Sequence, residues 1–159
     1  MLFALTGAQD AALGATRDDD EVMEFVEEVE EAWAGDWLCE VDKSWDAMHR
    51  CLSDGTLQLG RRTGEALELA LLGGGHHHEG EDYIVAHVLA DQVPAVAAAL
   101  ETVSEAWLRE RYDRIDAGDY QGVLGDEDFQ YTWQYLTEVR DFYKRAAGAG
   151  RSVIFTVDQ

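Results

Sequence analysis

An α+β fold is predicted for this chain: a helix-rich single domain over residues 1–159, with about six helices and a small sheet of about three short strands. Three observations carry that expectation. Apolar residues recur at three- and four-residue intervals over several stretches, three short runs are apolar or β-branched without helical spacing, and no repeat or low-complexity linker divides the chain. With 159 residues, 47% of them apolar, one core can form without metal or disulfide support.

The elements follow in chain order. Met1 to Thr6 is a short apolar strand, and Thr6 is placed to cap a small helix over Ala8 to Ala15, because its hydroxyl can accept an amide hydrogen that the first turn leaves unpaired. From Asp18 to Glu31 nine of fourteen residues are acidic, yet Val22, Phe25, Val26, Val29 and Trp33 keep helical spacing. The acids are thus the solvated face of an amphipathic helix, with Asp18 to Glu21 at the end where carboxylates favour the helix dipole. Gly35 ends it, and Trp37 to Val41 forms a connector. The next helix starts near Lys43, capped by Asp42 or Ser44, buries Trp45, Met48 and Leu52, and stops before Ser53-Asp54-Gly55. A further helix over Glu65 to Leu72 is expected to close on Gly73-Gly74-Gly75 as a left-handed cap, followed by a polar loop from His76 to Asp82.

Tyr83 to Leu89 is apolar almost throughout and predicts a central strand. Asp91 is the expected cap of a helix with Pro94 in its first turn, where the missing amide hydrogen does no harm, and with Val93, Val96, Ala97 and Leu100 as its stripe. Another helix runs from Ser104 through Tyr112, and Ile115 to Gly125 is a glycine-punctuated loop. A long helix from Asp126 to Ala147 presents Phe129, Trp133, Leu136, Val139 and Tyr143, and Ser152 to Val157 is the last strand.

Thirty-three acids against twelve bases, a formal net charge of −21, repel nucleic acid and anionic lipid and attract cationic partners. Direct nucleic-acid binding is therefore not expected. No stretch of about 18 apolar residues and no signal-peptide pattern is found, so a cytoplasmic protein without membrane insertion is expected. Cys39 and Cys51 are then reduced thiols.

Asp42-Lys43-Ser44-Trp45-Asp46-Ala47-Met48-His49, followed by Leu52 and Gly55, resembles the aspartate-lysine-x-tryptophan-x-x-leucine-histidine helix of the YfbM-like family, bacterial domains of unknown function. Leu69 to Gly74 is similar to that family's apolar segment ending in glycine, and Asp141 to Ala147 leading into Ser152 to Val157 to its last helix and strand. The chain departs from the pattern at Tyr120-Gln121-Gly122, where family members carry tyrosine-proline-glycine. The resemblance implies a small α+β domain and brings no established activity, substrate or catalytic residue.

Two groups of side chains are candidate sites. Asp42 and Asp46 are four apart and Asp46 and His49 three apart, so on a helix these residues, with Lys43, can converge as an acid/base group or hold a cation. His49 also lies four residues from Trp45, which sets it beside the apolar stripe. His76, His77 and His78 with Glu79 supply imidazole and carboxylate donors for a divalent transition metal, although three adjacent histidines on a glycine-flanked loop suggest incidental affinity rather than a fixed site. No cofactor is expected beyond that. Trp33, Trp37, Trp45, Trp107 and Trp133, with Tyr131 and Tyr135, fall mostly on core faces, and Trp37, in the connector, is the one whose exposure is open.

Two functional readings follow. The first is a non-enzymatic acidic binding protein that engages a basic protein, such as a toxin or nuclease in the manner of an immunity protein. The alternative is a small metal-assisted or acid/base enzyme using Asp42, Asp46 and His49.

Overall fold

The computed structural model describes residues 1–32, 34–57, 65–78, 80 and 83–158. Six α-helices, three short 3-10 turns and one five-stranded antiparallel sheet make up the described elements. The strands are β1 (Leu2–Leu5), β2 (Leu38–Cys39), β3 (Gly75–His76), β4 (Tyr83–Val88) and β5 (Ser152–Asp158), in the order β2-β1-β5-β4-β3. The three expected strands form the centre. The two that sequence spacing did not reveal, β2 in the connector and β3 in the glycine–histidine segment, are two-residue edges too short to show any period.

Alternation along the central strands divides the apolar side chains between two layers. Leu2, Ala4, Ile84, Ala86, Val88, Val153 and Phe155 pack on the larger layer, made by α3 (Trp45–Leu52), α4 (Val93–Glu101), α5 (Glu105–Tyr112) and α6 (Asp126–Gly148). Phe3, Leu5, Val85 and Ile154 point the other way, onto α1 (Gly7–Leu13) and α2 (Asp19–Glu31). Each sheet face therefore has its own core, which is why the middle strands are apolar at successive positions.

The acidic helix forms as its spacing predicts. Val22, Phe25, Val26 and Val29 are buried, and the Asp18 carboxylate accepts from the Glu21 amide at 3.0 Å as N-cap. Trp33 lies outside the described residues. Thr6 caps α1 through a reciprocal pair with Gln9, whose side chain accepts from the Thr6 amide at 2.9 Å. In α6, Phe129, Leu136, Val139 and Tyr143 are buried as expected, while Trp133 is half-buried with the Arg140 guanidinium 5.4 Å from its ring centre.

Three expectations are corrected. Glu65 to Leu72 does not form an α-helix; it holds a single 3-10 turn over Glu68–Ala70, whose last carbonyl accepts from the buried Tyr143 hydroxyl at 2.9 Å. The triple glycine is not a left-handed cap either, because among described glycines only Gly55 and Gly150 have a φ in the range that favours glycine, 93° and 63°. Close approach is the reason at Gly74: a Cβ there would lie 2.4 Å from the His87 carbonyl oxygen. Finally, α4 is entered through Gln92, not Asp91, and the Gln92 side chain accepts from the Leu89 amide at 3.0 Å.

Candidate functional site

The segment from Asp42 to His49 folds in two pieces, a 3-10 turn over Asp42–Ser44 and then α3. Asp42 has φ 37°, the left-handed region, which aspartate tolerates better than most residues because its short carboxylate can bond locally. Its carboxylate accepts from the Tyr131 hydroxyl of α6, tying the turn to the long helix. Neither Asp42 nor Ser44 caps α3 with its side chain; the Ser44 hydroxyl donates to the Val41 carbonyl at 2.5 Å instead.

Beside this segment lies a cleft of about 650 Å³, walled by Trp45, Leu57, Tyr120 and Tyr131, with Lys43, Asp46, Asp128 and Asp158 among its polar groups. Trp45 is half-buried, its ring centre 6.0 Å from that of Phe155 on β5. Asp46 is only 9% exposed and accepts from Arg50 Nε at 2.6 Å. Arg50, itself 2% exposed, also reaches the Asp119 carboxylate at 2.6 Å and the Asp119 carbonyl at 3.1 Å. Burial pushes the Asp46 carboxyl above the usual carboxylate range, the Arg50 hydrogen bond and charge hold it back, and the negative charges of Asp119 and Asp128 add to the rise.

Asp128 sits across the cleft and is held by two tyrosines. Its Oδ2 accepts from the Tyr112 hydroxyl at 2.6 Å and the Tyr120 hydroxyl at 2.9 Å, and both phenols are pushed up, first by burial and then by these bonds. Gly122 backs the Tyr120 ring so closely that a Cβ would lie 2.5 Å from it. The proline-free Tyr120-Gln121-Gly122 segment thus keeps its tyrosine in place by packing.

His49 does not join these groups. It is 3% exposed, its Nδ1 has no hydrogen-bond partner among the described residues, and it does not line the cleft. Burial pushes its imidazole down to about 4, against the opposing pull of Glu68 and Asp54. The structure therefore brings together Lys43 and Asp46 of the sequence candidates, places Asp42 alongside through Tyr131, and leaves His49 in the core. Arg50, Asp119, Tyr120 and Asp128 were not singled out from sequence. Only Arg50, four residues after Asp46, carries a local signal, that of a helical ion pair.

The other candidate lies on the opposite layer. The His76 ring is 2.9 Å from the Leu72 carbonyl through Nε2, and His78 Nε2 is 3.8 Å from Asp19. His77 Nε2 faces His87 Nδ1 at 3.2 Å, and His87 Nε2 faces Asp10 of α1 at 2.9 Å. His76 is held by β3 pairing with β4, and the His77 amide donates to the Val85 carbonyl, so the start of the expected loop lies along the sheet edge. Glu79 lies outside the described residues, and among the described residues no three His, Cys, Asp or Glu side chains form a metal cage. His87 was missed because it sits in an apolar strand run; a single imidazole interrupting that run was the available signal.

Cys39 and Cys51 are buried free thiols, each pushed up to about 12 by burial, and so are poor nucleophiles. Trp37 is half-buried rather than exposed, with the Arg151 guanidinium 3.7 Å from its ring centre. No described helix is long and apolar enough to cross a membrane.

The family model described as Domain of unknown function (DUF1877) matches residues 1–156. The chain belongs to the DUF1877 family. Among solved structures, the crystal structure of a protein of unknown function, YfbM from Escherichia coli, is similar with a TM-score of 0.65 at 16% identity, covering 99% of this chain and 98% of that one. That likeness shows a shared fold. No curated protein matches. In this DUF1877 chain the YfbM-like motif around Trp45 thus marks the family and also supplies one wall of the cleft.

Proposed function

We propose that this protein is an acidic, non-enzymatic binding protein whose cleft receives a cationic side chain from a basic partner protein. The observation that carries this is the composition of the cleft: three carboxylates, of Asp46, Asp128 and Asp158, against the single ammonium of Lys43, set among the rings of Trp45, Tyr120 and Tyr131. Aromatic faces and carboxylates are the two groups that recognise a guanidinium or ammonium, one through the ring quadrupole and the other through charge-assisted hydrogen bonds. The net charge of −21 steers such a partner toward the surface before docking. A basic toxin or nuclease, masked as by an immunity protein, is the partner class that fits this chemistry, and a cytoplasmic location would suit such a role.

The alternative, an acid/base or metal-assisted enzyme using Asp42, Asp46 and His49, has less support. Asp42 is engaged by Tyr131, Asp46 by Arg50, and His49 is not among the residues that line the cleft.

The test is a titration with an arginine-rich peptide, followed by calorimetry and by tryptophan fluorescence. One saturable site per chain is expected, weakening with salt. Asp158→Asn with Tyr131→Ala should weaken it by about tenfold or more, and Asp20→Asn on the opposite layer should leave it unchanged. Equal, small losses from both sets would mean diffuse attraction to the charged surface and would sink the proposal.

A further inference from the structure

Four of the five histidines of the chain lie at the β3–β4 edge, but the structure treats them unequally. His76 Nε2 is turned to the Leu72 carbonyl. His77 and His87 share one face: the His77 amide donates to the Val85 carbonyl at 3.0 Å, so His77 lies diagonal to His87, while Gly75, directly opposite His87, adds no side chain there. In the tautomer that the Asp10 carboxylate favours, His87 Nε2–H donates to Asp10 at 2.9 Å and the Nδ1 lone pair faces His77 Nε2 at 3.2 Å.

That separation has a chemical meaning. Two nitrogens bound to one tetrahedral cation at about 2.0–2.1 Å stand roughly 3.3 Å apart. A carboxylate behind a ligating histidine is the usual device that fixes its tautomer and raises its basicity. His77 also lines a cleft of about 580 Å³ with Asp18, Asp19 and Asp20 and with Arg17, whose charge is met by Glu21, so the three aspartates leave room for further donors and a field that favours a cation.

We propose that His77 Nε2 and His87 Nδ1, with Asp10 orienting His87, bind a divalent transition cation of the zinc, cobalt or nickel class whose remaining positions open onto the acidic cleft. Both imidazoles coordinate in the neutral form. The His77 ring turns so that its lone pair meets that of His87, and its proton moves from Nε2 to Nδ1 through solvent, so no net proton is released. The missing partners are water or a donor atom of an incoming ligand, since among the described residues no third side chain closes a cage. The site is independent of the cationic-ligand cleft and lies on the other side of the sheet.

The experiment uses the full chain without an affinity tag, with Zn²⁺ followed by calorimetry and Co²⁺ by its visible absorption. One cation per chain is expected. His77→Ala and His87→Ala should each lower affinity at least about tenfold, and Asp10→Asn roughly tenfold as an outer-sphere change, whereas His76→Ala should leave it unchanged. Near-UV circular dichroism identifies folded variants. If His87→Ala fails to fold, His77→Ala decides. Unchanged Zn²⁺ binding in a folded variant of either residue, or a loss with His76→Ala as large as with His77→Ala, would overturn the proposal, because the histidine tract alone would then hold the metal.

Discussion

His49 and His87 are both hidden from solvent, 3% and 6% exposed, yet they lie on opposite layers and in opposite chemical settings. His49 sits in the family motif among candidate acids, but its helix turns it into the core, where its Nδ1 has no hydrogen-bond partner among the described residues and burial keeps it neutral. His87 occupies an apolar strand with no motif around it, and both its ring nitrogens meet partners, from α1 and from the end of β3. Proximity in sequence supplied one histidine with acidic neighbours along a helix; topology supplied the other with partners 77 and 10 residues away. The same contrast separates Asp46 from the surface acids. It is ordered by a buried arginine that also reaches Asp119, 69 residues from Arg50.

The contrast can be broken most forcefully at Arg50. Arg50→Ala leaves Asp46 buried without its partner and should cost about 3–5 kcal/mol, read from urea unfolding at pH 7. An Asp46→Leu, Arg50→Met double variant should recover most of the loss. A small effect of the single variant would mean that Asp46 is solvated and that the cleft is not organised by this pair.

Next in size is the pH response of His49. Its folded pKa of about 4 lies below the ordinary 6.5, so the unfolded chain binds more protons between these values. The His49 contribution is complete above the unfolded pKa and is lost as pH falls toward the folded one, up to about 3 kcal/mol. Asp46 acts in the opposite sense, because its raised pKa favours the folded state as acid is added. Comparison with His49→Leu isolates the histidine: the variant should show a flatter stability profile across that window. Parallel profiles would place His49 in contact with solvent.

Gly74→Ala is the smallest of the three. Its Cβ would collide with the His87 carbonyl, and overpacking of this kind costs about 1–3 kcal/mol. The damage should fall on the histidine layer, with imidazole proton resonances of His77 and His87 shifted and the Trp45 environment unchanged. Equal disturbance of both layers would show that the sheet transmits strain between them.

Much of the architecture was legible because it rests on local pattern. Val22 to Val29 on α2, Phe129 to Tyr143 on α6, and the run from Tyr83 to Val88 each show the period of the element they form. Glu65 to Leu72 misled because a few apolar residues match helical spacing by chance, while the structure uses them in a 3-10 turn under Tyr143. The candidate cleft was half legible. Lys43, Trp45 and Asp46 belong to one local segment, whereas Tyr120, Asp128 and Asp158 come from a loop, a helix and a strand end far along the chain.

By itself the sequence determined which segments would be helix or central strand, that the surface would be strongly acidic, and to which family the chain belongs, since these depend on spacing, composition and short motifs. Tertiary structure alone decided which titratable groups meet. A charge or an imidazole can be buried only where a partner or an energetic penalty balances its lost hydration. Asp46 found Arg50 within one helix, His87 found Asp10 and His77 only because the sheet and α1 converge, and burial outweighs the pull of Glu68 and Asp54 on His49 and keeps it neutral.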